Sequence, residues 1–119
     1  MSKIFAQGDL LITKVEDVMA RAMTPSKTIA PDSDGAVVLE RGEVSGHRHA
    51  IYGGGATLFR DDALARDVPN GLYVGHLAVS SPVAVKHEEH AAINLEPGVY
   101  RISRQREATD DSATQMVAD

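Results

Sequence analysis

Cysteine and tryptophan are both missing from this 119-residue chain, and only 4% of its residues are aromatic. Without cysteine there is no disulfide framework, no thiolate zinc site, no cysteine nucleophile and no cysteine-held iron–sulfur cluster. The scarcity of aromatics removes the stacking platforms on which single-stranded nucleic acid is held. A formal net charge of −5 removes a general electrostatic grip on nucleic acid or anionic membrane. No apolar run approaches the ~20 residues of a membrane-spanning helix. Met1-Ser2-Lys3-Ile4-Phe5 gives way at once to Gln7-Gly8-Asp9 instead of a signal-peptide core. The expectation is a soluble, cytoplasmic protein with no membrane association and no general nucleic-acid binding.

What is present is enough for one hydrophobic core and too little for two. A domain of this length folds without covalent or metallic staples, so a bound metal would serve chemistry before folding. Residues 1–106 are expected to form a β domain. Residues 107–119 are expected to form an acidic tail, because Glu107, Asp110, Asp111 and Asp119 lie there with no basic residue among them. Such a tail is disordered or becomes an arm that orders on a neighbouring subunit.

Short apolar runs alternate with Gly, Pro, Asn and Asp punctuation, which predicts strands. The candidates are Leu10 to Val15, Ala36 to Arg41, Gly46 to Tyr52, Ala56 to Arg60, Leu72 to Ser80, Val83 to His87 and Val99 to Arg104. Glu16 to Met23 reads as a short helix and Asp61 to Arg66 as a helical turn. Thr24 to Gly35, with two prolines, reads as a surface loop, and Gly53-Gly54-Gly55 as the loop of a hairpin. The fold class is therefore all-β, a small single-domain barrel or sandwich.

Four of the five histidines fall in two tight pairs, Gly46-His47-Arg48-His49 and His87-Glu88-Glu89-His90. Side chains two apart on a strand share a face, so His47 and His49 project together, and Val83, Val85 and His87 share another apolar face. The same count sets His76 beside Leu72, Val74 and Ala78, on a side that also carries aliphatics. Imidazoles with a carboxylate suit Zn, Ni, Mn or Fe in an open site. The candidate metal ligands are His47, His49, His87 and His90, and the candidate catalytic residues are Glu88 and Glu89, as proton carriers. His76, standing alone, reads instead as a structural histidine satisfied by hydrogen bonds.

Sharper motifs are absent. The histidines of His87-Glu88-Glu89-His90 are three apart and not four, so this is no zincin helix, and no Gly-x-Ser-x-Gly elbow is present. Glu88 and Glu89 are adjacent and diverge in an extended chain, unlike a glycosidase pair. Arg101, Arg104 and Arg106 read as the charged guard of an edge strand, or as partners for the acidic tail.

The runs Gly42-Glu43-Val44-Ser45-Gly46-His47-Arg48-His49, His87 to Ile93, and Pro97 to Ile102 with Arg104 to Glu107 resemble a family of small bacterial and phage proteins of unassigned function. The likeness spans Gln7 to Glu107. A weaker likeness is to the cupins, in which a His-x-His pair and a later His bind a divalent metal inside a small barrel. His47 and His49 match that pair, and His90 with Asn94 matches the later element. The stretch Ile51 to Gly55 lacks the glutamate of the cupin pattern, and Gly42 lies one residue nearer to His47 than its glycine.

Two functions follow as expectations. The first is a β domain that binds a divalent metal or a small-molecule ligand through clustered histidines. The second is a structural or interaction module that assembles as a homo-oligomer, with the histidines as interface residues.

Overall fold

The computed structural model describes residues 3–17, 20, 27–41, 47–61, 68 and 71–105. Ten strands are found among them: β1 (Ile4–Gln7), β2 (Leu10–Lys14), β3 (Lys27–Ile29), β4 (Val37–Arg41), β5 (Arg48–Ile51), β6 (Ala56–Arg60), β7 (Tyr73–Val79), β8 (Val83–Lys86), β9 (Ile93–Leu95) and β10 (Gly98–Arg104). They form a six-stranded sheet in the order β1-β2-β10-β7-β6-β3 and a four-stranded sheet in the order β4-β5-β8-β9. Every pairing is antiparallel. The sheets do not close into a barrel, so the sandwich is the form the fold takes.

Alternation explains the core. Leu10 and Ile12 of β2, Leu58 of β6, Leu77 and Val79 of β7, and Tyr100 and Ile102 of β10 bury one face of the larger sheet. Val37, Leu39, Ile51, Val85 and Leu95 bury the facing side of the smaller one. Each such aliphatic contributes on the order of 1.5–3 kcal/mol by leaving water. Across the strands the core residues pair directly, Ile12 with Ile102 and Leu77 with both Leu58 and Tyr100.

Several local expectations need correcting. Gly53-Gly54-Gly55 is not a hairpin loop: β5 and β6 belong to different sheets, and the glycines carry the chain across. All three have positive φ, at 90°, 83° and 95°, where side chains other than hydrogen are disfavoured. A Cβ on Gly55 would lie 2.8 Å from Val83 Cγ1. The Thr24–Gly35 segment contains a strand, β3, which pairs with β6 at the sheet edge. β10 is not an edge strand, since it lies between β2 and β7. Its Arg104 makes an ion pair with Glu40 across the sheets at 3.0 Å, so this arginine is tied to the other sheet and does not guard an edge.

Two β-bulges reset the alternation. On β4, Val38 pairs with Ala50 and Glu40 with His49, which leaves Leu39 as the extra residue and turns Glu40 to the same side as His49. On β7, Gly75 pairs with Ile102 and Tyr73 with Ser103, so Val74 is extra and Tyr73 joins the face of His76. That face is the opposite of Leu77 and Val79. His76 therefore points away from the sandwich core, contrary to the simple count.

Within the Glu16–Met23 segment, the Ala20 N–H donates to the Glu16 carbonyl at 2.9 Å, one helical hydrogen bond. Most of that segment, most of Asp61–Arg66 and the whole 107–119 tail lie outside the described residues. Among the described residues no helix is long and apolar enough to cross a membrane.

Candidate metal centre

The β8–β9 turn, residues 87–92, meets the entry to β5 and the β1–β2 turn at one end of the smaller sheet. This brings the two histidine pairs together. The His87 ring lies 4.4 Å from that of His49, 4.7 Å from His90 and 5.5 Å from His47, centroid to centroid. Ligand atoms of His47, His87 and Glu88 lie within 4.8 Å of one another. Around a tetrahedral ion with bonds near 2.1 Å, ligand atoms stand about 3.4 Å apart, so modest side-chain closure separates this triad from a coordination shell.

Gln7 builds the floor. It is only 2% exposed, and its Nε2 donates to the carbonyls of Val85 at 3.0 Å and Ala91 at 2.8 Å, which ties the 87–92 turn to β1. Those two bonds orient the amide, leaving Oε1 as the acceptor 2.7 Å from His49 Nδ1. His49 Nδ1 accordingly carries a proton, and in the neutral ring Nε2 holds the lone pair, 3.8 Å from Asp9 Oδ1. A hydrogen bond of this kind behind an imidazole is what orients metal-ligating histidines. His49 nevertheless lies outside the tight triad, packed against His87 with the rings tilted by 34° and facing Asp9.

Glu88 is anchored from the other side. The Arg48 backbone N–H donates to its Oε1 at 3.0 Å. That bond, then its own backbone N–H, with nearby His47 and His87 adding to them against partial desolvation, hold its carboxyl below the usual carboxylate range. A carboxylate kept ionised serves better as a ligand than as a proton carrier at neutral pH. Glu89 is exposed, and its Oε2 lies 3.7 Å from His47 Nδ1.

His87 Nδ1 accepts the Glu89 N–H at 3.0 Å, which puts the proton of the neutral ring on Nε2. Coordination through either nitrogen gives up that bond. His90 Nε2 is buried and has no hydrogen-bond partner among the described residues, so it is an available fourth donor beside the triad.

On the outer face of the smaller sheet, Arg48 points away from the histidines. It reaches Asp32 at 2.8 Å and Asp34 at 2.7 Å, and Arg41 shares Asp32 at 2.7 Å. The Arg48 hydrogen bond is the main reason that the Asp34 carboxyl titrates below its ordinary value. His76 belongs to neither group: its Nδ1 lies 2.6 Å from Tyr73 Oη, and Phe59 stacks on its ring.

Gln7 and Glu40 are the residues that motif reading passes over. Gln7 has a faint signal, a polar residue at the inward end of the Phe5–Gln7 alternation. Glu40 has none, because only the bulge at Leu39 turns it inward.

The fold and the site together define a small two-sheet β domain with a His/Glu cluster at the end of its smaller sheet. The chain belongs to a family described as a domain of unknown function, DUF8820, whose model matches residues 6–105. No curated protein and no solved structure matches it.

Proposed function

We propose that the domain binds a divalent transition metal, Zn, Ni, Mn or Fe(II), through His47, His87 and Glu88, with His90 beside the triad and His49 packed behind it. The observation that supports this reading is the convergence of two imidazoles and an ionised carboxylate from two chain segments within 4.8 Å. Two histidines and a carboxylate leave coordination positions open, the condition for Lewis-acid or water-activating chemistry. In that arrangement Glu88 is a ligand, and the exposed Glu89 is the group free to carry a proton.

The test is a melting series on the full chain with each metal at pH 7.5 and 5.5. Ligating imidazoles must be neutral, and ordinary imidazole titrates near 6.5, so metal-dependent stabilisation is expected at pH 7.5 and largely lost at 5.5. No stabilisation by any metal at pH 7.5, or an equal response from His87→Ala, contradicts the reading.

A second reading, a self-assembling interaction module, draws on a different observation. Strand β1 is an edge of the larger sheet and carries Ile4 at 64% exposure, beside exposed Ala6. A strand that is an edge among the described residues and carries an exposed apolar side chain suits pairing with a second copy. Sedimentation at micromolar concentration decides it: a dimer that Ile4→Lys dissolves supports assembly, and a monomer excludes it.

A further inference from the structure

Two clefts adjoin on the outer side of the smaller sheet. One, of about 210 Å³, is lined by Arg48, Tyr52, Lys86, His87 and Glu88. The other, of about 540 Å³, shares Tyr52 and Lys86 and continues past Gly53, Gly54 and Ala84 to Asn94 and Glu96. The register explains the join. Lys86 pairs with Ala50 and Ala84 with Asn94, and Tyr52 has the same parity as Ala50, so these residues share the outer face. The trough reaches the candidate metal centre because β8 ends at Lys86, and the next two residues are His87 and Glu88.

We infer that this trough binds a small carboxylate with a flat apolar body, its anionic group set between Lys86 and a metal at His47, His87 and Glu88. The inference rests on the metal reading above. Three features carry it. The first is charge: a divalent ion with the Glu88 carboxylate leaves one positive charge, and the exposed Lys86 adds a second. Arg48, the other cation of the trough, is already committed to Asp32 and Asp34. Without the ion, Glu88 and Lys86 cancel, so anion binding should require metal.

The second feature is shape. Tyr52 keeps 46% of its surface exposed, one of only two large hydrophobic side chains so placed among the described residues. The Arg48 guanidinium sits 5.7 Å from the centre of its ring, and the ring borders both clefts. Beside it, a Cβ placed on Gly53 or Gly54 would meet no atom within 4 Å, so the crossing between the sheets leaves open space there. The third is size. Sites for drug-sized ligands occupy roughly 300–1,000 Å³, so the 210 Å³ cleft takes one small head group while the body extends along Tyr52.

The experiment is calorimetric titration of sodium benzoate, sodium acetate and neutral benzamide into the full chain, with and without one equivalent of Zn(II), at pH 7.5. Benzoate is expected to bind only the zinc-loaded protein, more tightly than acetate, and benzamide not to bind. Lys86→Met should take up zinc as the parent does and bind benzoate at least about tenfold more weakly. Tyr52→Ala should reduce benzoate to the level of acetate. Both positions are on the surface, and circular dichroism checks that the variants remain folded. Zinc uptake with equal binding of benzoate and benzamide, or with Lys86→Met unchanged, overturns the carboxylate site alone. Failure to take up zinc overturns the metal reading and this inference with it.

Discussion

His76 and His87 are the same side chain in two opposite situations. His76, on β7, is 1% exposed and closed in by its surroundings. Tyr73 Oη accepts the Asp61 N–H at 3.0 Å and has His76 Nδ1 at 2.6 Å, while Phe59 stacks on the ring. His87, just past β8, is half-buried and has three other imidazoles and the Glu88 carboxylate about it. A histidine answered by a tyrosine is a piece of architecture. Neutral imidazoles turned towards one another bring several nitrogen lone pairs to one place, where a divalent ion can bind them together.

The largest expected effect breaks the support beneath the open region. Gln7→Ala leaves the His49 Nδ1–H and the carbonyls of Val85 and Ala91 without their partner, and a loss of about 3 kcal/mol is expected in urea unfolding. A change below about 1 kcal/mol would mean that the turn holds itself. Next is Tyr73→Phe, which removes the hydroxyl between the Asp61 N–H and His76. It should cost about 2 kcal/mol while leaving any metal-induced rise in melting temperature intact. Loss of the metal response in this variant would mean that the two histidine regions are coupled.

His47→Ala inverts that pattern. The side chain is only partly buried, so apo stability should move by less than about 1 kcal/mol, whereas the metal response should disappear. The smallest effect is on acid stability. Glu88 titrates below its ordinary value in the folded protein, so its contribution is complete above the ordinary carboxylate pKa and fades as pH falls through the lowered one. Glu88→Gln should therefore flatten the acid limb of a stability–pH curve slightly and leave the neutral region unchanged. An altered limb near pH 7 would assign the effect to another group.

The strands β2 and β10 were legible because their apolar residues alternate: Leu10 and Ile12, and Tyr100 and Ile102, are buried with Leu11 and Arg101 less so between them. β1, β3 and β9 were not: they are short, and unlike β5 and β8 they do not sit inside a longer apolar run that marks them off from loops. Pro25 and Pro31 flanking β3 hid it further. Sheet membership was also invisible, and so three glycines between two strands read as a hairpin when they are a crossing. Spacing grouped His47 with His49 and His87 with His90, but the meeting of the two pairs depends on β5 pairing with β8, which spacing does not carry. The orientation of His76 was not legible, because the side facing the core on β7 carries Gly75, which has no side chain to count. Glu40 escaped for a related reason, a bulge that shifts the register by one residue.

The central claim, that the converging histidines hold a divalent ion, is tested most directly by titrating Co(II) into the full chain and following its visible d–d absorption, which reports coordination geometry as well as binding. The account predicts saturation at one equivalent with an intense tetrahedral or five-coordinate spectrum, unchanged in His76→Ala that remains folded and abolished in His87→Ala. A spectrum that stays that of the hexa-aquo ion, or one that survives His87→Ala, would contradict it.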